Sequence, residues 1–244
     1  THDYGKDCLL QADAAIAEAY EIMGRPMSED FPKVDLMMLA RQEDYKQVGE
    51  GVNDALDAAM SSEYACFITQ DPESGRVGGV ACYQVLSETD VQGNDRFSQY
   101  LLRHAAAEAA VRGATWKEAP PRWFSLGIGA YCERYWDPFH ATGVQRLGAW
   151  SVAALRREGG ILKFKNFFDS FAVSRQSVLQ SGLVISYLVH GEKNEKVQAE
   201  WDKVREIMAS DDHKDLEKTF LKLEMALTKY GEDDFQAYAD GLGS

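Results

Sequence analysis

From residue 94 to the C-terminus the chain carries helix-period apolar patterning almost without interruption, whereas its strand signals lie between residues 33 and 85. That order constrains the fold more than any other feature. A few strands early and helices thereafter is the pattern of an α+β architecture, not of alternating βαβ units. The apolar spacing predicts helices over 95–112, 121–135, 143–158, 174–190, 193–209, 213–230 and 232–240. The mixed charges on the outer faces of the last three, such as Glu192, Lys196, Glu200 and Lys203, read as solvated surface.

Before residue 94 the reading is mixed. Residues 7–23 place Leu9, Ala12, Ile16, Ala19, Tyr20 and Met23 at helical spacing, and Gly24-Arg25-Pro26 ends the run. In KVDLMML, residues 33–39, Val34, Leu36 and Met38 alternate onto one face of a strand. A second helix is expected over 44–60, weakened by Gly49 and Gly51. Segments 64–69 and 76–85 are β-prone and flank Asp71-Pro72-Glu73-Ser74-Gly75, a turn signal, so they predict a hairpin. Gly78-Gly79 is read there as a bulge. In this pairing Cys66 and Cys82 fall within two residues of register. A cross-strand disulfide and two small buried side chains are both open readings. The expected organisation is an N-terminal α/β part with a small antiparallel or mixed sheet, residues 1–93, and a helical part, residues 94–244, forming one domain together.

With 39 acidic against 26 basic residues the net charge is −13, which argues against nucleic acid as a partner. No apolar run is long enough to predict a transmembrane segment. The four cysteines, Cys8, Cys66, Cys82 and Cys132, lack the paired spacing of a structural zinc site. P-loop, GxSxG and dinucleotide fingerprints are missing; Gly127 and Gly129 in LGIGAY are not enough to make one.

Two segments carry a functional signal: SQYLLRHAAAEAAVRG, residues 98–113, and PPRWFSLGIGAYCERYW, residues 120–136. Together they resemble the paired active-site helices of the gluzincin (thermolysin-like) metallopeptidase superfamily, and most of all a bacterial branch of it. The resemblance extends to the strand–turn–strand before the first helix, to KVDLMMLARQEDY, to QSGLVISYLVHGE (residues 180–192) and to the charged C-terminal helices. It implies a zincin-like fold. In that superfamily one helix carries H-E-x-x-H, two histidines that bind zinc and a glutamate that activates water. A second helix, W-x-x-E-G-x-A-x-Y, supplies the third ligand. Trp123, Gly127 and Tyr131 match the second motif in spacing.

Carried across residue by residue, the first histidine position is His104, the water-activating position is Ala105, the second histidine position is Glu108 and the third-ligand position is Leu126. A hydrolytic zinc needs three protein ligands and an open site. His104 and Glu108 share a helix face, but Leu126 has no lone pair and Ala105 cannot act as a base. Glu133 lies two turns beyond Leu126, about 10 Å by helical rise, and is not expected to take its place. His140 cannot be positioned from sequence.

The resemblance therefore implies a catalytically inactive peptidase-like domain, with no catalytic residues, no cofactor expected and a peptide or protein as partner. Trp123, Tyr131 and Glu133 are candidate cleft residues. One alternative is an active metal-dependent hydrolase using a rearranged site at His104 and Glu108 with a residue such as Glu133 or His140, and zinc as its metal. Another is a purely structural oligomer component. Read without the resemblance, HAAAEAA is an Ala-rich helix packed in the interior, with His104 and Glu108 as an i,i+4 pair. WFSLGIGAY is then a buried helix whose glycines allow close contact.

Overall fold

The computed structural model describes residues 2–25, 34–39, 44, 47–48, 66–70, 77–82, 95–115, 118–135, 152–210 and 212–242. The turn at 71–75 and most of the expected helices over 44–60 and 143–158 lie outside them; residues 44, 47 and 48 of the former and 152–157 of the latter are helical.

Helix α1 spans His2–Ile22, and strands β1 (Asp35–Leu39), β2 (Cys66–Gln70) and β3 (Val77–Cys82) form one sheet in the order β1-β3-β2. Strand β2 pairs antiparallel with β3, Cys66 opposite Ala81 through Gln70 opposite Val77. This is the pairing the hairpin reading expects. Strand β1 adds parallel to β3, from Asp35 opposite Gly78 to Leu39 opposite Cys82. The side chains of Cys66 and Cys82, and with them the two readings of that pair, lie outside the described residues.

The ladder runs unbroken through Gly78 and Gly79, so these glycines do not mark a bulge. Their reason is helix α2, Asp95–Ala114, which lies against the sheet. A Cβ on Gly79 would stand 2.9 Å from the carbonyl oxygen of Ala105 and 2.9 Å from Leu36. Glycine at this point lets helix backbone and strand backbone meet. Val34, Leu36 and Met38 pack against the core as their alternation predicts, while Asp35 and Met37 face out.

From Leu101 to Ala114 helix α2 is buried on every side, with Arg112 only partly so. Leu102, Ala106, Ala107, Ala110 and Val111 join the main core with Ala12, Ala15, Ala19 and Tyr20 of α1. Leu101, Ala105 and Ala109 join a smaller cluster under the sheet with Ile68 and Val77. Thus α2 is the partition between the sheet and the helical body, and α1 packs on the helical side. Leu9, expected on the buried face of α1, is instead 65% exposed.

Helix α3, Arg122–Tyr135, runs back along α2 and is crossed by a later helix. The short helix α4, Phe164–Asp169, not foreseen from sequence, inserts Phe164 and Phe167 into the core. Helix α5, Arg175–His190, opens with a capping box in which Ser174 and Ser177 bond each other's backbone amides. It crosses α3 at small residues: a Cβ on Gly127 would meet the Ser181 carbonyl oxygen at 2.8 Å, and one on Gly182 the Ala130 side chain at 2.9 Å. Helices α6 (Glu195–Ala209) and α7 (Leu216–Ala226) complete the body. A π-helical turn, Leu227–Gly231, joins α7 to α8 (Glu232–Leu242). An aromatic cluster ties these layers together, with Phe124 and Phe220 ring centroids 4.7 Å apart and Phe164 and Phe235 4.6 Å apart. The architecture is α+β, and among the described residues no helix is long and apolar enough to cross a membrane.

Candidate functional site

Helices α2 and α3 form an antiparallel hairpin, the usual result of a short connection between two apolar helices. Arg103, His104 and Glu108 project from the first; Arg122, Leu126 and Glu133 from the second. All six are buried or nearly so.

His104 lies at the centre with no solvent exposure. Its Nδ1 stands 3.1 Å from Glu133 Oε2 and its Nε2 stands 3.6 Å from Glu108 Oε2. The second oxygen of Glu108 accepts a hydrogen bond from Arg122 Nη1. Acidic and basic groups alternate along this chain, Glu133, His104, Glu108, Arg122. Space for the imidazole comes from Gly129, where a Cβ would stand 2.7 Å from the ring. Gly129 of LGIGAY is therefore a seat for a histidine.

Burial alone would lower the His104 pKa, but the charge of Glu108 close by and the hydrogen bond and charge of Glu133 outweigh it, so the pKa is raised. Burial would raise that of Glu108, but Arg122, His104 and Arg112 outweigh it and hold the carboxyl below its usual range. Both shifts favour the charged pair. A histidine with a raised folded pKa adds stability that is full below its unfolded pKa and is lost as pH rises through the folded one. For Glu108, with its folded pKa depressed, stability is full above the unfolded pKa and is lost as pH falls through the folded value. The network's contribution is therefore expected to peak in mild acid, between the ordinary carboxylate and imidazole ranges. Urea midpoints measured across pH should show a decline above that window that His104→Gln removes.

A second buried cation adjoins the first. Arg103 is fully buried and donates from Nε to the Cys132 carbonyl (2.9 Å), from Nη1 to Gln11 and from Nη2 to Glu18 (2.7 Å). It fastens α1, α2 and α3 to one another. Burial, together with Glu18, pushes the thiol of Cys132 well up, so this cysteine is an inert packing group.

The residues singled out from sequence fall into separate environments. Ala105 and Leu126 lie together in the apolar cluster under the sheet, with Ile68, Val77, Ala109, Ala130 and Val178. Trp123 is 2% exposed in the aromatic core, where its Nε1 donates to Glu224 at 2.6 Å. Tyr131 points to the other side of α3 and hydrogen-bonds His190 Nε2 at 2.8 Å. His140 lies outside the described residues. Glu133, too far along α3 to replace Leu126, does reach His104. The helical-rise argument measured its distance from Leu126, but the hairpin sets His104 opposite Gly129 and Glu133 and sets Glu108 opposite Arg122.

These residues do not fit a hydrolytic zinc. The two carboxylates approach different nitrogens on the ring, so His104, Glu108 and Glu133 share no common ligand point. Arg122 holds the remaining oxygen of Glu108 and puts a positive charge where a dication would sit. Among the described residues no three histidine, cysteine or acidic side chains are grouped to hold a metal ion.

Arg122 and Arg103 were not foreseen. Arg122 had one signal: a basic residue in the first turn of a helix opposes the macrodipole, and so implies another duty. No family model, curated protein or solved structure matches this chain.

Proposed function

We propose that the chain is a hydrolytically silent domain of gluzincin-like descent and zincin-like fold that acts by binding a peptide or protein partner. One observation carries this reading. At the position where the resemblance expects zinc, the helix pair holds a buried Glu133–His104–Glu108–Arg122 network. The bordering positions, Ala105 and Leu126, are filled with apolar volume. A carboxylate left there without its metal would cost several kcal/mol unless paired. Arg122 and His104 supply that pairing for Glu108, and Leu126 removes the need for it at the third-ligand position. What remains is a scaffold without a base or an open coordination site.

Purified protein is expected to carry no stoichiometric zinc by elemental analysis and to show no hydrolysis of a mixed peptide substrate pool. Its melting temperature should not change on addition of a chelator, since a ligand that binds only the native state would have raised it. Stoichiometric zinc with a chelator-dependent fall of several degrees, and hydrolysis lost with it, would overturn the proposal.

A further inference from the structure

Two residues along α3 from both Gly129 and Glu133, and so about 200° around the helix, Tyr131 faces a cavity on the side remote from His104. This cavity, about 430 Å³, opens between the C-terminal ends of α1 and α5 and the flank of α6. Its volume lies within the range of small-molecule sites. The apolar wall is made by Ile22, Leu188 and Trp201, all buried.

The polar wall has a charge pattern unlike that of the acidic chain around it. Arg205 donates to the carbonyl oxygens of Ile22 (3.2 Å) and Glu21 (3.3 Å), which fixes the plane of its guanidinium. Lys193 donates to the Gly191 carbonyl at 2.6 Å. Both cations are held by backbone carbonyls, and among the described residues no carboxylate lies within ion-pair distance of either, Asp202 acting on Lys193 only from further off. Of the cavity's two carboxylates, Glu18 is already engaged by Arg103 at 2.7 Å and Glu21 is exposed. The two helix C-termini supply about one negative charge between them, against two cations. Burial lowers the pKa of Lys193 against an opposing pull from Asp202, so its ammonium is partly desolvated and an anion placed there would stabilise it. Beside it the Tyr131–His190 pair offers hydrogen-bonding capacity, with His190 shifted toward its neutral form by burial and by Lys193.

We propose that this cavity binds a small organic oxyanion, its carboxylate or phosphate head held by Arg205 and Lys193 and its apolar body laid on Trp201 and Leu188. The site goes beyond the peptidase resemblance and does not depend on it.

Calorimetric titration of the intact chain with 3-phenylpropionate and with phenyl phosphate tests the head group, and the neutral 3-phenylpropanamide tests the need for charge. At least one anion is expected to bind about tenfold or more tightly than the amide, and the tighter of the two identifies the head. Lys193→Met should weaken that binding about tenfold while leaving the melting temperature in place. Arg205→Met should weaken it further, with some loss of stability from uncapping α1. Equal binding of the amide, no binding of either anion by folded protein, or unchanged affinity in Lys193→Met would each overturn the proposal. None of these variants touches the His104 network, so such a result leaves the zinc and chelator outcome standing.

Discussion

Glu108→Ala is expected to destabilise the folded chain by about 3–5 kcal/mol, the cost of removing one partner from a buried ion pair. The carboxylate has no solvent exposure and holds Arg122 through one oxygen and approaches His104 with the other. Without it the guanidinium, only 10% exposed, loses the carboxylate it is paired with, and the imidazolium loses the one beside its Nε2 while Glu133 stays at its Nδ1. The size of the loss comes from the charges left behind and not from the strength of the pair. The double variant Glu108→Met, Arg122→Met should therefore recover a large part of it, because apolar side chains of similar volume often replace a buried ion pair at little cost. Urea unfolding followed by circular dichroism measures both. A single-variant loss under about 1 kcal/mol would place the network in the range of surface pairs and contradict this account.

For Arg103→Met the expected loss is about 2–4 kcal/mol, by a different route. Methionine fills most of the space of the arginine stem, so the cavity term is small. What is lost is the fork that ties three helices: the Cys132 carbonyl on α3 loses its side-chain donor, and Gln11 and Glu18 on α1 lose theirs. Glu18 is about one-third exposed and can turn to water, which is why the loss should stay below that of Glu108→Ala. Arg103→Lys should not restore stability, because a single ammonium cannot reach partners on two helices at once. Urea midpoints for the two variants, and faster amide exchange in the first half of α1, would check this. A fully stable Arg103→Lys protein would show that charge alone matters here.

Both variants act on parts of the structure that sequence patterning only partly shows. The long helices are legible because their apolar residues repeat for several turns, and the β2–β3 pairing because the turn signal Asp71-Pro72-Glu73-Ser74-Gly75 lies between two β-prone segments. Helix α4 is missed because its six residues are too few to show a period. Gly79 is misread because a strand glycine signals either a bulge or a close approach, and only the position of α2 distinguishes them. Leu9 is misplaced because helical spacing names a face without saying how far along the helix that face stays covered.

The candidate site shows the same division. That His104 and Glu108 share a face follows from their spacing alone. That Glu133 completes the group does not, because it depends on how α3 is set against α2, a tertiary fact. Arg122 hides for a related reason: a charged residue beside a proline pair reads as surface, and only the buried carboxylate opposite makes it structural.

The protonation state of His104 tests the central claim most directly. In ¹⁵N-labelled protein, long-range correlation spectra read the charge of each imidazole. Near pH 6.5, about where an ordinary imidazole is half-titrated, His104 is predicted to be more than half imidazolium, with both ring nitrogens bonded to hydrogen and no change on addition of zinc. A neutral ring at that pH, or a nitrogen resonance displaced by stoichiometric zinc, would contradict the reading of this helix pair as an ionic clamp and return it to the metal sites it resembles.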